Sequence, residues 1–371
     1  MPTLADLPTP QVVVDRSRLL NNIARAQQLA SSAGMRLRPH AKTHKSPHVA
    51  KMQIDGGAVG ICCAKVGEAE VFAAVGINDI RLPYPVSPSN APRILALMKH
   101  ATISIIVDHL DVARGWSVAM QKARRTLDVL VKVDVGFHRC GIDPGSSALP
   151  FIRSVASMAG LRVCGLLSHA GHGYHAASED ELESVARQEA DTLIKLKEKV
   201  GRGGIPLDEI SVGATPTLRF SAKQAGITEL RPGNYVYFDR TQVALGAATL
   251  DDCALTVLAS VVSAPAADRI IFDSGSKTLT NDQARGITKA EGFGIVLTED
   301  GRIDQSLMIT RLSEEHATVK VTGSTRLKPG DRVRIVPNHS CVVSNMVDEV
   351  HLVDGDAIVA TIPVAARGKI A

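Results

Sequence analysis

Aromatic residues are scarce. Phe, Trp and Tyr make up 3% of the 371 residues, with a single Trp and four Tyr. That argues against a stacking platform for single-stranded nucleic acid, which needs exposed rings. An excess of one charge is also missing. Lys and Arg total 42 against 38 Asp and Glu, a net +4 too weak to predict binding to phosphate backbones or acidic membranes. No apolar run approaches the ~18 to 20 residues a membrane helix needs. The opening MPTLADLPTP lacks the basic and apolar stretches of a Sec signal, so a cytoplasmic location is expected. The six cysteines (Cys62, Cys63, Cys140, Cys164, Cys253 and Cys341) contain no CxxC pair and are too few for a disulfide framework in so long a chain. Each reads first as a buried thiol. There is no repeat, no low-complexity tract and no flexible linker.

Hydrophobic residues, at 45%, suffice for a sizeable core. The first two-thirds alternates short β-branched runs with amphipathic helical patterns. The runs are MRLRPHA, GAVGICCA, NDIRLPYP, ATISIIVD, LDVLVKVDV, LRVCGLLSHA, DEISVGAT and TELRPGNYVYF. Helices are expected over 17–32, 46–55, 67–75, 90–99, 110–124, 145–159 and 179–200. Eight βα-like units in roughly 220 residues fit a (β/α)8 TIM barrel, for which ~250 residues is typical. A doubly wound sheet shares the alternation, but no GxGxxG follows the first strand. From about Ala254 the helical periodicity stops and strand runs with turn signals take over, which reads as a C-terminal β domain. The expected division is a barrel over 16–245 and a β domain over 1–15 and 246–371. In that division the early run QVVVD pairs with the β domain.

Catalytic groups of a barrel gather at the C-terminal ends of its strands. Those ends hold Arg38 to Lys45, Asp134 to Gly141, Ser168 to His175, Gly213 to Thr217 and Arg231 to Tyr235. Lys42, beside Arg38 and Lys45, suits either a Schiff-base lysine of depressed pKa or a surface phosphate or salt-bridge lysine. Gly213 to Thr217 and Gly233-Asn234 read as an anion cradle after strands seven and eight, or as two ordinary βα turns. His339 and Cys341, two apart on an expected extended segment, can point the same way and suit Zn²⁺, though two ligands alone are a weak signal.

Together, RPHAKTHK, VDVGFHRCG, SHAGHGY, SVGATPT, RPGNYVYFD and PNHSC resemble the D-threonine aldolase and D-serine dehydratase family of fold-type III pyridoxal-phosphate (PLP) enzymes. The resemblance covers nearly the whole chain and implies an alanine-racemase-like barrel with a C-terminal β domain. It implies that Lys42 carries PLP and that Arg139 lies near the cofactor's phenolic oxygen. Tyr174 would lie close to the ring, with Thr215, Gly233 and Asn234 on the phosphate. His339 and Cys341 match ligands for a divalent metal, Zn²⁺ or Mn²⁺, placed beside the substrate's β-hydroxyl. His169, Gly213 and Tyr235, from the same strand ends, complete the cofactor set. Some aldolases of the family carry a carboxylate at the position of Cys341 and a histidine near Ala170. This chain departs from both, and His172 in the same loop is the alternative base. The implied activity is a lyase acting on a small β-hydroxy D-amino acid. D-threonine aldolase, giving glycine and acetaldehyde, comes first. D-serine or 3-hydroxyaspartate dehydratase, giving a 2-oxo acid and ammonia, is the alternative, and a non-enzymatic PLP-binding protein ranks behind both. A homodimer is expected, since family relatives assemble head to tail with both subunits lining each site, and neither nucleic acid nor membrane is expected as a partner.

Overall fold

A computed structural model describes residues 2–288, 290–298 and 301–371. The first strand, β1 (Gln11–Asp15), leads into α1 (Arg16–Ser32), whose first turn is capped by Asp15 accepting the Arg18 amide at 2.9 Å. Eight strands then follow: β2 (Arg36–Leu37), β3 (Ile61–Cys62), β4 (Asp79–Pro85), β5 (Thr102–Val107), β6 (Leu127–Lys132), β7 (Leu161–Leu167), β8 (Glu209–Val212) and β9 (Glu229–Leu230). After each comes its helix: α2 (Pro47–Asp55), α3 (Val66–Ala74), α4 (Ala91–Leu97), α5 (Leu110–Ala123), α6 (Ala148–Ala156), α7 (Glu179–Arg202), α8 (Leu218–Ser221) and α9 (Arg240–Ala244).

All eight strands pair in parallel, in the order β2-β9-β8-β7-β6-β5-β4-β3. A parallel bridge between His40 and Cys62 joins the two ends of that order, with the Cys62 amide donating to Pro39 at 2.8 Å. The closed ring excludes the doubly wound sheet. Strands buried on both faces read as continuous apolar runs, and TISIIV of β5 is one.

The barrel interior is not wholly apolar. Glu229 on β9 is fully buried between Arg38 and Arg81, and Arg81 also reaches Glu209 at 2.8 Å. Arg38 continues to Asp79 at 2.6 Å. Ser211 donates to Glu229 and accepts from Arg231 Nε at 2.7 Å, which carries the network up to the barrel mouth.

The remaining strands are β10 (Leu255–Ala266), β11 (Arg269–Phe272), β12 (Ile295–Leu297), β13 (Leu307–Leu312), β14 (Ala317–Val321), β15 (Arg332–Val336), β16 (Glu349–Asp354) and β17 (Ala357–Pro363). They form a mainly antiparallel sheet in the order β13-β14-β11-β10-β1-β16-β17, with β15 on β10 and β12 on β15. Here β1 runs antiparallel to β10 and parallel to β16, so the QVVVD run pairs in this sheet and not in the barrel. The β16–β17 hairpin turns at Gly355, whose φ of +58° suits glycine. Two short helices also sit here, α10 (Ser276–Leu279) and α11 (Ser340–Asn345). No described helix is long and apolar enough to cross a membrane.

Candidate active site

The strand ends converge on a cavity of about 530 Å³ at the barrel mouth. Lys42 lies in it, on a single 3₁₀ turn directly after β2. The turn is pinned by the His40 amide donating to Pro232 at 2.9 Å, which ties the end of β2 to the end of β9. The Lys42 side chain is open to the cavity, yet protein surrounds its amine. That burial lowers its pKa; Cys341 opposes the shift and Arg139 adds to it. His40 and His169 are held far below the usual imidazole pKa, first by burial and then by the Lys42 charge. Burial thus favours the neutral form of both rings. His169 Nδ1 donates to the Gly213 carbonyl at 3.0 Å, which leaves Nε2 without a proton.

Arg139 stands on the loop after β6. Asp134 shapes that loop by accepting the amides of Gly136 and His138, each at 3.0 Å. The guanidinium lies over the Phe137 ring at 5.0 Å, and Phe137 meets His169 edge-on at 5.7 Å. Gly171 leaves room for that ring, since a Cβ there would fall 2.6 Å from it. Tyr174 accepts from Gln242 Nε2 at 3.4 Å, and burial pushes its phenol pKa up.

The two glycine turns sit side by side. Among the described residues, the buried amides of Ala214, Thr215, Gly233 and Asn234 find no acceptor within the protein. A Cβ at Gly233 would come within 3.2 Å of the His40 carbonyl, and one at Gly213 (φ +142°) within 2.7 Å of the Arg231 nitrogen. Unpaired buried amides are costly, so four of them on residues that line a cavity suit an anion. With Lys42 opposite, this set fits PLP: an amine for the carbonyl end and amides for the phosphate.

His339 and Cys341 line the same cavity. The expectation of an extended segment is corrected: His339 is the extended N-cap of α11 and Cys341 lies in its first turn. The two side chains still meet. Burial raises the Cys341 thiol pKa, but the hydrogen bond and charge of His339 outweigh it and the net shift is downward. His339, which burial alone would lower, is carried up to about 10 by Cys341, Asp239 and Asp282. Its Nδ1 donates to Asp282 Oδ2 at 2.6 Å, the carboxylate–histidine pairing that orients a metal-ligating ring. Cys341 Sγ also touches Thr43 Oγ1 at 3.2 Å, and Ser344 donates to the Thr43 carbonyl, so α11 is locked to the turn that carries Lys42. Buried Asp239 joins the cradle to the pair, accepting Asn234 Nδ2 at 2.5 Å and the Ser340 amide at 3.0 Å. Imidazole plus thiol suits a divalent ion. Among the described residues no group of three or more His, Cys, Asp or Glu is placed to hold a metal ion, so His339 and Cys341 stand as a pair.

Lys42, Arg139, His169, Tyr174, Gly213, Thr215, Gly233, Asn234, His339 and Cys341 all line this one cavity. Two expected residues do not. Tyr235 is 1% exposed, with its hydroxyl accepting from Gln53 Nε2 at 3.0 Å, and only its amide turns to the site, onto Thr215 Oγ1 at 3.2 Å. His172 is half-buried on the loop after β7, beside Gly136 and outside the cavity lining. Lys132, Arg231, Asp239, Asp282 and Arg285 were not singled out from the sequence. Arg231 stood within a strand end already marked, whereas Asp282 and Arg285 come from a loop with no local signal.

Residues 14–241 match the family described as alanine racemase, N-terminal domain, and residues 254–353 the putative serine dehydratase domain. The chain belongs to the D-threonine aldolase and D-serine dehydratase family of fold-type III PLP enzymes. It is an enzyme of the lyase class. A D-threo-3-hydroxyaspartate dehydratase from Delftia sp. is 33% identical, over 91% of this chain and 92% of its own. A D-threonine aldolase from Arthrobacter sp. is also 33% identical, over 98% and 94%. Among solved structures, a cysteine-to-alanine variant of a D-threo-3-hydroxyaspartate dehydratase in its metal-free form superposes with a TM-score of 0.93 at 30% identity, over 98% of this chain and 99% of that one.

Proposed function

We propose that this enzyme is a PLP- and divalent-metal-dependent dehydratase of β-hydroxy D-amino acids, yielding a 2-oxo acid and ammonia. The observation that carries the reading is that Lys42, the amide cradle and the His339–Cys341 pair share one cavity within one chain. Lys42 and the amides of Ala214, Thr215, Gly233 and Asn234 would hold PLP; His339 and Cys341 would hold the metal, Zn²⁺ or Mn²⁺. When bound, PLP draws electrons from the substrate's α-carbon and the metal polarises its β-hydroxyl. Everything else falls to side chains of this chain. Lys42, its pKa lowered by burial, is the amine this chain offers to take the α-proton at Nζ. Neutral His40 and His169 add no charge to compete with it. Asp282 fixes the His339 ring, and Asp239 holds the cradle and the metal turn at a constant separation.

Dehydration needs a base for the α-proton, and a Lys42 amine open to the cavity supports that role. Retro-aldol cleavage needs a base on the β-hydroxyl; His172, the base expected from the sequence, does not line the cavity, which leaves that role to His40 or His169. D-threonine aldolase is the second reading, favoured by the relative that matches 98% of the chain. Incubating the PLP-loaded enzyme with D-serine and with D-threonine separates the two. We expect a 2-oxo acid and ammonia. Glycine and acetaldehyde from D-threonine, without ammonia, would replace this reading with the aldolase.

A further inference from the structure

Among the described residues, seven lysine and arginine side chains line the cavity against a single carboxylate, Glu68. Most of these cations are already committed. Lys45 pairs with Glu68 at 3.2 Å, Lys65 lies over the Tyr84 ring at 5.4 Å, Arg139 over Phe137, and Arg231 is bonded to Ser211 and Ser168. Lys42 and Lys132 stand within the barrel mouth. Arg285 remains. It is exposed, lines the cavity, and among the described residues its guanidinium makes no hydrogen bond or ion pair.

The backbone of Arg285 is firmly placed on the metal side. Three residues before it, Asp282 holds His339, and its carbonyl accepts Asn338 Nδ2 at 3.0 Å. The Arg285 amide donates to Thr241 Oγ1 at 3.4 Å, and Thr241 donates in turn to the Asn338 carbonyl at 2.8 Å. Just beyond, the Thr288 amide donates to Ala244 at 3.1 Å, and a Cβ at Gly286 would strike Ala244 at 2.6 Å. The loop is thus pinned on both sides of a free cation, on the side where the β-oxygen would be held.

We infer that Arg285 recognises an anionic group on the substrate's β-carbon, so that the preferred substrate is a dicarboxylate, a 3-hydroxy-D-aspartate, rather than D-serine or D-threonine. The inference rests on the dehydratase reading above. Where the one carboxylate among the described lining residues is already paired, an unpartnered guanidinium favours a further negative charge, and its fork matches a carboxylate. A methyl or hydrogen on the β-carbon gives it nothing to bind.

The test compares kcat/KM for 3-hydroxy-D-aspartate and D-serine in the PLP- and metal-loaded enzyme, in Arg285→Ala and in Arg285→Lys. The wild type should prefer the dicarboxylate. Loss of one charge-assisted contact should cut the ratio of the two constants roughly 10- to 100-fold in Arg285→Ala, with partial recovery in Arg285→Lys. An unchanged ratio, whether both constants fall together or neither does, overturns the assignment, as does a wild type that prefers D-serine. Calorimetric titration with D-aspartate and D-alanine, which have no β-hydroxyl to eliminate, reads the same contact without turnover. Tighter binding of D-aspartate that disappears in Arg285→Ala supports the role of Arg285 even if the reaction proves to be an aldol cleavage; equal binding contradicts it.

Discussion

Lys42 combines two conditions that rarely meet in one lysine. Its side chain is open to a cavity, and protein atoms and cations around its amine disfavour the charged form. Lys42→Ala should therefore leave no covalently fixed cofactor after borohydride treatment, while the wild type retains one equivalent on the peptide containing residue 42. Label on another lysine would contradict the assignment. Residue identities at strand ends were legible in the sequence because a barrel puts its chemistry there. Which side of a loop each side chain takes was not. His172 and His169 are three apart in one motif, yet the backbone turn at Gly171 sends His169 to the cavity and His172 to Gly136. Tyr235 lies next to Asn234, but its ring is drawn into the core and Gln53 satisfies its hydroxyl. Arg285 was invisible because the fold, and not its spacing from any motif, brings its loop to the cavity.

At the level of elements, every expected barrel strand is present at its run, although β2, β3 and β9 are only two residues long. Such short strands have few ladder bonds, and the ion network between Arg38, Arg81, Glu209 and Glu229 links the first, third, seventh and eighth of the barrel. Burial would raise the Glu229 pKa, but Arg81 and Arg38 overcome it and hold the carboxyl at about 2 against an ordinary 4.5. A depressed folded-state pKa contributes stability that is complete above pH 4.5 and is lost as pH falls toward about 2. Glu229→Gln removes one partner from a buried network, so it should cost roughly 3–5 kcal/mol at neutral pH. Its stability should also change less than the wild type's between pH 4.5 and 2. Urea unfolding of both proteins at pH 7 and pH 3 checks this, and equal stability at pH 7 would show that the network is dispensable. Strands β12 and β13 and the short helix α11 were not read from the sequence. Three to six residues do not establish a period, and α11 is held by Asp239 and Thr43, residues distant in sequence.

For the whole molecule, the alternation of runs gave the barrel, and the loss of helical period gave the β sheet after it. How His339 and Cys341 reach the cavity could not be read that way. His339 and Cys341 line the same cavity as Lys42 within one chain, because α11 packs on the turn that carries Lys42. On the proposed function, the Lys42 cradle and the His339–Cys341 pair should act as one chemical unit and yet be separable as binding sites. The direct measurement is the rate of 2-oxo acid formation from D-serine by the loaded enzyme before and after chelation, with cofactor absorbance and melting temperature followed in parallel. Turnover should vanish on chelation and return with Zn²⁺ or Mn²⁺, while the absorbance and melting temperature stay nearly constant. A chelated enzyme that keeps its full rate would contradict a catalytic role for the ion at His339 and Cys341.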